Sequence, residues 1–398
     1  MPQILTINTG SSSLKVALYE LSRELRLVLS GLVDRIGSGE GRLRLTDAQG
    51  ATLVDQANQL IDHGSALQAV LAWLKAHSPD LTLAAVGHRV VHGGGEYREP
   101  RCVTPDLIAD LRNLIPIAPN HLPQAVQAIE VVAQSYPALL QVTCFDTAFH
   151  RHMPRTAQLF ALPRHFADEG LIRYGFHGLS YESIMEQLRN LSPKEAAGRV
   201  IIAHLGNGAS LAAVRGGVGI ETTMGFTPAG GLMMGTRCGD VDPGVLVYLL
   251  TEKGFTTPAL NDLIIRQSGL LGISGTSSDM RDLLSRESTD PRAAEAVAMF
   301  CYQAKKHLGA LVAVLGGLDT LIFTGGMGER AAPVRHRICE GLEFLGIRLD
   351  LHRNGAHAAL ISPEDHSPAG RAVTVRVMQT DEDQVIARHT GDLLERQS

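Results

Sequence analysis

The sequence predicts an α/β protein of two domains, and three observations lead to that class. The chain has 398 residues, which is more than one ordinary hydrophobic core organises. Short apolar runs alternate with stretches of helical period, as in parallel βαβ units. Turns of small residues follow several of these runs, and two of the turns resemble each other, which suggests that the domains arose by duplication.

The composition excludes several classes of function. Hydrophobic residues make up 44% of the chain and charged residues 19%, as in a globular protein. A net charge of −5 argues against nucleic acid or an anionic membrane as the main partner. No apolar run approaches the roughly 18 residues of a membrane span, and the N-terminus lacks the basic segment of a signal peptide. The five cysteines form no Cys-x-x-Cys pair and suit a reducing compartment, so we expect a cytoplasmic protein.

The first elements form a candidate phosphate cradle. Residues 4–7 are typical of a buried strand, Gly10 and the serines at 11–13 of a turn, and residues 14–19 of a second strand. Small residues let backbone N–H groups approach an anion, the serines add hydroxyl donors, and Lys15 adds a positive charge. The segment is not the usual P-loop, because that motif is absent and a strand follows the turn. A serine-rich β-turn without such a role is the alternative.

The rest of the first half alternates between helices and strands. We expect helices over 63–77, over 105–113, and from an opening within 117–123 to about 135, and strands over 81–86 and 139–145. A glycine-rich segment, 87–95, follows the first of these strands. In parallel α/β sheets, ligands gather at the carboxyl ends of the strands. Asn8, Arg89 and Asp146 each lie at or near such an end, and this shared placement predicts a common site.

The second half repeats this plan. A predicted strand over 199–203 leads into a small-residue turn, 204–211, and a short return strand follows over 212–214. Both halves thus contain a strand, a glycine, small polar residues, Ser-Leu and another strand. A third glycine segment, 324–329, follows a predicted strand over 318–323 and opens a helix, where backbone N–H groups attract anions. Three such segments together favour phosphate binding over three unrelated turns.

A long irregular segment lies between these turns. Residues 222–244 contain six glycines and two prolines and show little periodicity. Loops longer than about 12–15 residues inside compact domains tend to be functional or disordered. Because this segment also carries Arg237, Asp240 and Asp242, we interpret it as an active-site loop. A structureless surface excursion is the alternative.

Phosphate-type segments in both halves predict a nucleotide bound in the cleft between the domains. Phosphoryl transfer needs a metal on the phosphates, cations near the moving group and an acceptor held in line. Mg²⁺ prefers oxygen ligands and keeps several waters, so Asp146 and Glu382 are candidate ligands. A helix N-cap is the alternative for Asp146, and stabilisation of a helix dipole is the alternative for Glu382.

Three further side chains are candidates for contact with the phosphoryl group. Arg89 and Arg237 lie among glycines, and a planar guanidinium suits carboxylate or phosphoryl oxygens. His177, within a Tyr-Gly-Phe-His-Gly run, is a candidate hydrogen-bond donor to a phosphoryl oxygen. A solvated arginine and a core histidine are the respective alternatives.

Eight blocks of residues carry a resemblance to a known family, and they occur in order over essentially the whole chain. The blocks are NTGSSSLK at 8–15, GHRVVHGG at 87–94, FDTAFH at 145–150, RYGFHG at 173–178, HLGNG at 204–208, MMGTRCGD at 233–240, SSDMRD at 277–282 and TGGMGE at 324–329. In these blocks the sequence resembles the acetate kinase family. The resemblance implies an α/β fold of duplicated actin-like (ribonuclease H-like) domains, with the active site in the interdomain cleft.

The same resemblance implies boundaries, partners and an activity. The N-terminal domain would be 1–150, completed by a C-terminal helix over 383–398, and the nucleotide-binding domain would be 151–382. The implied reaction is the Mg²⁺-dependent interconversion of ATP and acetate with ADP and acetyl phosphate, with Mn²⁺ able to replace Mg²⁺. The implied assembly is a homodimer.

The functional positions of the family correspond to named residues of this chain. The implied catalytic residues are Asp146 and the transition-state-stabilising pair His177 and Arg237. The implied metal ligands are Asn8 and Glu382. The implied residues for the acyl substrate are Arg89, Val91, Phe176 and Pro228. The implied nucleotide-binding residues are Lys15, His204, Leu205, Gly206, Asn207, Gly208, Asp279, Met280, Arg281, Gly325, Gly326, Met327, Gly328 and Glu329.

One position departs from the family pattern. Asn120 stands where the family has a leucine of the acyl pocket, unless Leu122 turns inward, so the preferred length of the acyl chain stays open. A kinase for propionate or another short-chain carboxylate is therefore an alternative. A non-catalytic nucleotide sensor or chaperone of the same fold is a second alternative. It is disfavoured because the chain retains all the candidate catalytic side chains, namely Lys15, Asp146, His177, Arg237 and Glu382.

The chemistry of the acceptor refines the expected role of Asp146. A carboxylate acceptor is already ionised at neutral pH, since carboxyl groups titrate near pH 4–5. Transfer to it needs no strong general base, unlike transfer to a sugar hydroxyl. We therefore expect Asp146 to position the metal and the acceptor rather than to remove a proton.

Overall fold

The computed structural model of the protein describes residues 2–10, 12–22, 25–78, 81–364 and 372–397. The chain divides into two compact units. The N-terminal unit combines Met1–Ala148 with Asp381–Ser398, and the C-terminal unit comprises Phe149–Thr380. The N-terminal unit is therefore assembled from two separate segments of the chain.

The N-terminal unit is built on one mixed sheet. The elements of its first segment are β1 (Gln3–Thr9), β2 (Leu14–Glu20), β3 (Arg26–Asp34), β4 (Gly41–Asp47), β5 (Thr52–Asn58), α1 (His63–His77), β6 (Leu83–Val90), β7 (Arg101–Cys102), α2 (Pro105–Asn113), α3 (Leu122–Ser135) and β8 (Leu140–Phe145). The strands follow the order β5-β4-β3-β2-β1-β6-β8-β7. β1, β6 and β8 are parallel neighbours, whereas β1 to β5 pair as antiparallel hairpins. The predicted parallel pairing is confirmed.

The helices of this first segment form where the sequence predicts them. α1 and α2 have the expected bounds, and α3 begins at Leu122 within the predicted opening and ends at Ser135. On α1 the residues Leu67, Val70 and Leu74 recur at helical spacing and pack in one buried cluster with strand residues of the sheet. This cluster is the core of one sheet face.

The C-terminal unit contains a second, five-stranded sheet within the described residues. Its elements are α4 (Arg155–Gln158), α5 (Arg164–Asp168), α6 (Gly178–Leu191), α7 (Pro193–Ala196), β9 (Arg199–Leu205), β10 (Ala209–Arg215), β11 (Val218–Thr222), α8 (Pro243–Thr251), α9 (Thr257–Arg266), α10 (Gly269–Ser274), α11 (Met280–Arg286), α12 (Pro291–Leu315), β12 (Thr320–Thr324), α13 (Gly325–Arg330), α14 (Ala332–Cys339), α15 (Leu351–Gly355) and β13 (Thr374–Val377). Short 3₁₀ turns occur at Ala148–His150 and Glu343–Leu345. The strand order is β11-β10-β9-β12-β13.

The two sheets share one topology. In the N-terminal unit, β3-β2-β1-β6-β8 are joined by two antiparallel pairings followed by two parallel pairings. In the C-terminal unit, β11-β10-β9-β12-β13 show the same order of two antiparallel and two parallel pairings. This correspondence confirms the predicted duplication and the α/β class.

Helices cover the second sheet as well. Tyr181, Ile184 and Leu188 on α6 pack in one buried cluster with Val200 and Ile202 of β9. The long helix α12 packs against β9 and β10. These helices fix the position of β9, whose carboxyl end leads into one of the predicted phosphate turns.

The last helix of the chain, α16 (Glu382–Glu395), completes the N-terminal unit. It packs against β1, β6 and β8. A Cβ atom on Gly87 of β6 would stand 2.5 Å from the Cγ2 atom of Ile386 on this helix. Only a glycine therefore permits this close approach of helix and strand.

This packing corrects one sequence-based boundary. The apolar strand predicted over 81–86 lies at Leu83–Val90, so Arg89 belongs to the strand and not to a glycine loop after it. Gly87 signals a turn in the sequence, but here it accommodates a helix distant along the chain. A similar correction applies to β9, which continues through His204 and Leu205 into the segment predicted as a turn.

The irregular segment is found as predicted. Residues 223–242, between β11 and α8, contain neither helix nor strand. Gly325 is the first residue of α13 and directly follows β12, so the predicted helix opening at this glycine segment is confirmed. Across the described part of the chain, every helix is too short or too polar to cross a membrane.

Candidate functional site

A buried ion pair lies at the carboxyl ends of the parallel strands of the N-terminal unit. Arg89 on β6 donates through Nε to Asp146 Oδ2 at 3.1 Å, and its Nη2 donates to the same oxygen. Asp146 follows β8 directly and is fully buried, and the side chain of Arg89 is only 16% exposed. Because β6 and β8 are parallel neighbours, their ends bring the two side chains together.

Asn8 and Glu382 complete a cluster of four side chains around this pair. Asn8 Oδ1 accepts from Arg89 Nη1 at 3.0 Å, and Asn8 Nδ2 donates to Glu382 Oε2 at 2.9 Å. The same Glu382 oxygen lies 3.7 Å from Arg89 Nε. The four residues come from the end of β1, from β6, from the end of β8 and from the start of α16. Of the predicted site residues, Asn8, Arg89, Asp146 and Glu382 thus lie together.

The structure also bears on the alternative roles of the two acids. The carboxylate of Asp146 accepts hydrogen bonds from Arg89, so its position is set by an ion pair. The N-cap of α16 is Asp381, whose side chain accepts from the backbone N–H of Gln384 at 2.9 Å. Glu382 lies in the first turn of that helix, where a carboxylate also complements the helix dipole. The position of Glu382 therefore agrees with the alternative role, stabilisation of the helix dipole.

Carboxylates outnumber the cation in this cluster. Burial alone would lower the pKa of Arg89, but the carboxylates of Asp146 and Glu382 outweigh it and hold that pKa above its ordinary value. Withdrawal from water raises the pKa of the neighbouring Asp383 to about 6, although Thr6 Oγ1 donates to it at 3.0 Å. An excess of negative charge at a set of oxygen donors suits a divalent cation.

The donor set fits Mg²⁺ with few protein ligands. Asn8 Oδ1 and Glu382 Oε2 are hard oxygen donors. Asn8 is buried, and the side chain of Glu382 is 15% exposed. The described residues contain no group of three or more His, Cys, Asp and Glu side chains arranged to hold a metal. Mg²⁺ does not need such a group, because it retains several waters and commonly uses one or two carboxylates.

The predicted phosphate cradle is the β1–β2 hairpin. The backbone N–H of Gly10 donates to the carbonyl of Ser13 at 2.8 Å, and Asn8 pairs with Lys15 across the hairpin. Lys15 is exposed on β2. Ser11, also part of the predicted cradle, lies outside the described residues. The hairpin therefore places Lys15 directly beside Asn8, which belongs to the cluster of four side chains around Arg89 and Asp146.

In the C-terminal unit, the predicted pair His177 and Arg237 converges over Gly208. A Cβ atom on Gly208 would stand 3.3 Å from His177 Nε2 and 3.5 Å from Arg237 Nη1. The glycine thus leaves room in front of two side-chain nitrogens. Arg237 Nη1 also donates to the carbonyl of Pro228 at 3.0 Å, which fixes its guanidinium within the irregular segment.

The glycine segments of this unit adjoin one another. β9 and β12 are parallel neighbours, with His204 opposite Thr324, so their carboxyl ends bring the turn at 204–208 beside the start of α13. A Cβ atom on Gly325 would stand 2.9 Å from the carbonyl oxygen of Leu205. The backbone N–H of Gly235 donates to the carbonyl of Asn207 at 3.1 Å. The predicted nucleotide residues that share this edge are His204, Leu205, Gly206, Asn207, Gly208, Gly325, Gly326, Met327, Gly328 and Glu329.

Three further predicted nucleotide-binding residues lie at the start of α11. Asp279 is the N-cap of this helix and accepts from the backbone N–H of Arg281 at 2.8 Å. The Arg281 side chain is 84% exposed and donates to Asp279 Oδ2 at 2.8 Å. The carbonyl of Ser278 lies 3.3 Å from the Cβ position of Gly235, so this helix start adjoins the other segments. Met280 is buried beneath it.

The predicted acyl-pocket residues are distributed over both units. Val91 is buried in the N-terminal unit, and Phe176 is buried in the C-terminal unit. Pro228 is half-buried. Leu122 is fully buried in a cluster with Val90 and Phe145, whereas Asn120 is half-buried. The leucine of this segment thus packs inward two positions after the place where the family pattern has it.

Sequence reasoning missed two residues next to His177. Ser210 on β10 lies with its Oγ 2.8 Å from His177 Nδ1, and it also hydrogen-bonds the hydroxyl of Tyr181. Tyr181 stands four residues after His177, which is one helical turn, and this spacing is a signal that could have identified it. Ser210 carries no such signal, because its contact depends on the packing of α6 against β10.

The sequence matches the model of the Acetokinase family over residues 3–388. An acetate kinase of Methylocella silvestris is 44% identical over 405 residues, covering 99% of this chain and 98% of the relative. An acetate kinase of Rhodopseudomonas palustris is 46% identical over 397 residues, covering 98% of each chain.

Solved structures agree with these relatives. A Porphyromonas gingivalis acetate kinase superposes with a TM-score of 0.86 at 36% identity, covering 99% of this chain and 100% of the other. A Francisella tularensis propionate kinase superposes with a TM-score of 0.91 at 31% identity, covering 98% and 100%. The fold, with its duplicated sheets, is therefore that of a family of kinases. The chain belongs to the acetokinase family.

Proposed function

We propose that this protein is an acetate kinase that transfers a phosphoryl group reversibly from ATP to acetate, by direct in-line displacement, giving acetyl phosphate and ADP. The observation that carries the proposal is the buried pair of Arg89 and Asp146 at the carboxyl ends of parallel strands, in a chain of this family. A fixed guanidinium there offsets the repulsion between an anionic acceptor and an anionic phosphoryl group.

Each unit contributes one set of side chains to the proposed reaction. Arg89 orients the acceptor carboxylate, and Asp146 holds the guanidinium through the ion pair. His177 and Arg237 donate to the transferring phosphoryl group, whose charge spreads over its equatorial oxygens. No side chain needs to act as a strong base, because acetate is ionised at neutral pH.

We propose Asn8 and Glu382 as the residues that hold Mg²⁺, with Mn²⁺ able to replace it. When bound, the ion neutralises charge on the phosphate oxygens. Lys15 and the glycine segments around 204–208 and 325–329 hold the nucleotide phosphates, and Asp279 to Arg281 hold the adenosine. In support, the two side chains adjoin each other, with Asn8 Nδ2 donating to Glu382 Oε2 at 2.9 Å, and each also carries an oxygen of the kind that Mg²⁺ prefers.

The two units are proposed to be the two actin-like domains that the family resemblance implies.

We also propose a homodimer formed through α8. This helix is apolar around its circumference, yet none of its residues is buried, whereas such a helix is normally covered. It exposes Val245, Val247, Tyr248 and Leu250, each between 40% and 57%. Light scattering should give twice the chain mass, and Val247→Lys should give a monomer. A monomeric parent protein would contradict this assembly.

The cell compartment is also a proposal. The five cysteines are all free within the structure, and free cysteines are typical of a reducing environment. We therefore propose that the protein acts in the cytoplasm.

A second candidate function is a propionate kinase, favoured by two observations. Asn120 replaces the leucine of the family pattern, and the similar Francisella tularensis structure is described as a propionate kinase. Leu122, two positions later, packs in a buried cluster with Val90 and Phe145. The ratio of kcat/KM on acetate to that on propionate separates the two.

Trapping the product with hydroxylamine tests the proposed function. With ATP, Mg²⁺ and acetate, the protein should form acyl phosphate, and omission of acetate should abolish the signal. The Arg89→Ala variant serves as the matched negative control. A folded protein that binds ATP but forms no acyl phosphate with acetate or propionate would instead be a nucleotide sensor of this fold.

A further inference from the structure

A buried hydrogen-bond chain leads from Tyr181 through Ser210 to His177. Ser210 Oγ lies 2.8 Å from His177 Nδ1, and the Tyr181 hydroxyl forms a short hydrogen bond to the same Oγ. Ser210 and Tyr181 are both fully buried. This hydrogen-bond chain lies within the C-terminal unit. It ends at Nδ1 of the imidazole, whereas Nε2 is the ring nitrogen near Gly208.

The imidazole ring is held from other directions as well. It stacks on His204 with 4.2 Å between ring centroids and 23° between planes. His204 Nδ1 in turn lies 2.8 Å from Ser180 Oγ. The ring therefore cannot tilt freely, and the hydrogen bond at Nδ1 decides which of its nitrogens carries the proton.

The backbone of His177 is strained, and its neighbours hold it in that conformation. His177 has φ 58°, in the left-handed region, and it immediately precedes α6. Such a conformation is strained for a residue that carries a side chain. His150 Nε2 holds the preceding carbonyl of Phe176 at 3.0 Å. A strained conformation kept in place in this way indicates that the direction of the His177 ring matters.

We propose that Ser210 and Tyr181 are positioning residues that hold His177 in the tautomer with its proton on Nε2. A neutral imidazole has one N–H, and a serine hydroxyl has one proton to donate. A phenol is a better donor than an aliphatic alcohol, so Tyr181 donates to Ser210 Oγ. The Ser210 hydroxyl then donates its hydrogen bond to His177 Nδ1, which accepts it. The ring proton stays on Nε2.

The consequence appears at Gly208. His177 Nε2 and Arg237 Nη1 lie within 3.5 Å of one point above that glycine. With its proton on Nε2, His177 presents a donor there, as an anionic phosphoryl oxygen requires. The opposite tautomer would present a lone pair and repel the same oxygen. Ser210 and Tyr181 thus act through His177, and this catalytic consequence rests on the proposed function.

The tautomer can be measured without substrate by ¹⁵N NMR on the full chain with labelled histidine. At about pH 8, where an ordinary imidazole is neutral, the His177 signals are assigned by their loss in His177→Gln. We expect the wild-type protein to show the Nε2–H pattern. Ser210→Ala should shift the signals toward a mixture of tautomers, and Tyr181→Phe should shift them in the same direction by less.

Kinetics provide the second readout. Ser210→Ala should lower kcat by about 10–100-fold, as expected for loss of a group that orients a functional ligand, while KM for acetate changes by less than about threefold. Ser183→Ala is the matched control, because Ser183 is a buried serine of α6 that accepts from Gln187. It should leave both the tautomer and kcat unchanged. If Ser210→Ala does not fold, Tyr181→Phe, which removes a single oxygen, carries the test.

An Nδ1–H signal in the wild-type protein would overturn the proposal, as would an unchanged tautomer in folded Ser210→Ala. The proposed function can fail separately. A wild-type protein with the Nε2–H tautomer but no acyl phosphate formation would support the positioning role of Ser210 and Tyr181 and contradict the kinase reaction.

Discussion

Arg89 and Asp146 are joined by hydrogen bonds from both Nε and Nη2 of the guanidinium, and the carboxylate that receives them is fully buried. Each residue therefore depends on the other to satisfy its charge away from water. Removal of either one takes away the nearest opposite charge of the other. The pair links two neighbouring strand ends, so its geometry is set by the sheet.

The first prediction concerns Arg89. Arg89→Ala should lower kcat/KM for acetate by at least a factor of ~10²–10³, as for the loss of one preorganised donor. Arg89→Lys should recover only part of the activity, because an ammonium cannot reproduce the planar, multiple contact with Asp146. Steady-state kinetics check both. Arg42→Ala removes an exposed arginine that pairs with Asp55 and should leave activity unchanged. A loss under tenfold in Arg89→Ala would refute the assignment.

The second prediction concerns Gly208. Gly208→Ala places a methyl group 3.3 Å from His177 Nε2 and 3.5 Å from Arg237 Nη1, where we propose that phosphoryl oxygens lie. We expect kcat to fall at least about tenfold with little change in Tm.

A second glycine provides the control for Gly208. Gly309, inside α12, has open space at its Cβ position. Gly309→Ala should raise stability by about 0.5–1 kcal/mol, since alanine favours a helix, and leave kcat unaltered. Normal turnover by folded Gly208→Ala would show that the point above Gly208 is not used.

The third prediction concerns the metal and Asp146. Asp146→Asn keeps the shape of the side chain but removes the charge that pairs with Arg89. We expect lower kcat and a Mg²⁺ requirement raised by roughly tenfold, as for residues that orient metal ligands. Titration of activity with Mg²⁺ measures this. Asp55→Asn, in an ion pair on the outer strands, is the control. Near-normal activity and Mg²⁺ dependence in Asp146→Asn would contradict the positioning role.

The fourth prediction concerns stability at low pH. Burial lowers the pKa of His88 and of His150 to about 4, below the ordinary value of about 6.5. Because the folded state favours the neutral rings, this stabilisation is complete above about pH 6.5 and is lost progressively as the pH falls from there to about 4. Between pH 7.5 and pH 5 each ring should cost about 2 kcal/mol of unfolding free energy.

Urea unfolding at these two pH values measures the effect. His88→Gln and His150→Gln should each show a smaller difference between the two conditions than the wild-type protein does. His77→Gln, at an exposed position on α1, should retain the full difference. Equal pH dependence in all four proteins would show that buried neutral imidazoles are not the cause.

Local signals were sufficient to predict much of the fold. The periodicity of Leu67, Val70 and Leu74 predicts α1 with its observed bounds. Asn8 and Asp146 lie at the carboxyl ends of predicted parallel strands, and such ends lie at the same edge of a sheet. Their positions therefore predict that the two side chains lie close together. Partial similarity of two turns predicts the duplication that both sheets display. These features depend on residues close together in the sequence or on general rules of sheet assembly.

The errors and omissions depend on contacts between distant segments. Gly87 looked like the start of a loop, yet it lies inside β6. The absence of a side chain there leaves room for Ile386 of α16. Ser210 looked like one small residue of a turn, and its contact with His177 exists only because α6 packs on the sheet. Periodicity and motif spacing contain no information about such contacts. The placement of Arg89 in a strand and the role of Ser210 therefore required three-dimensional structure.

The two-segment construction of the N-terminal unit has a consequence for synthesis of the protein. A ribosome makes β1, β6 and β8 early, but it makes α16 only after the entire C-terminal unit. Until then, the face of the sheet that α16 covers is open, and Glu382 is absent from the cluster around Arg89. Since domains tend to fold as they emerge, the C-terminal unit can fold before the N-terminal unit is complete. A nascent chain thus acquires the proposed metal site last.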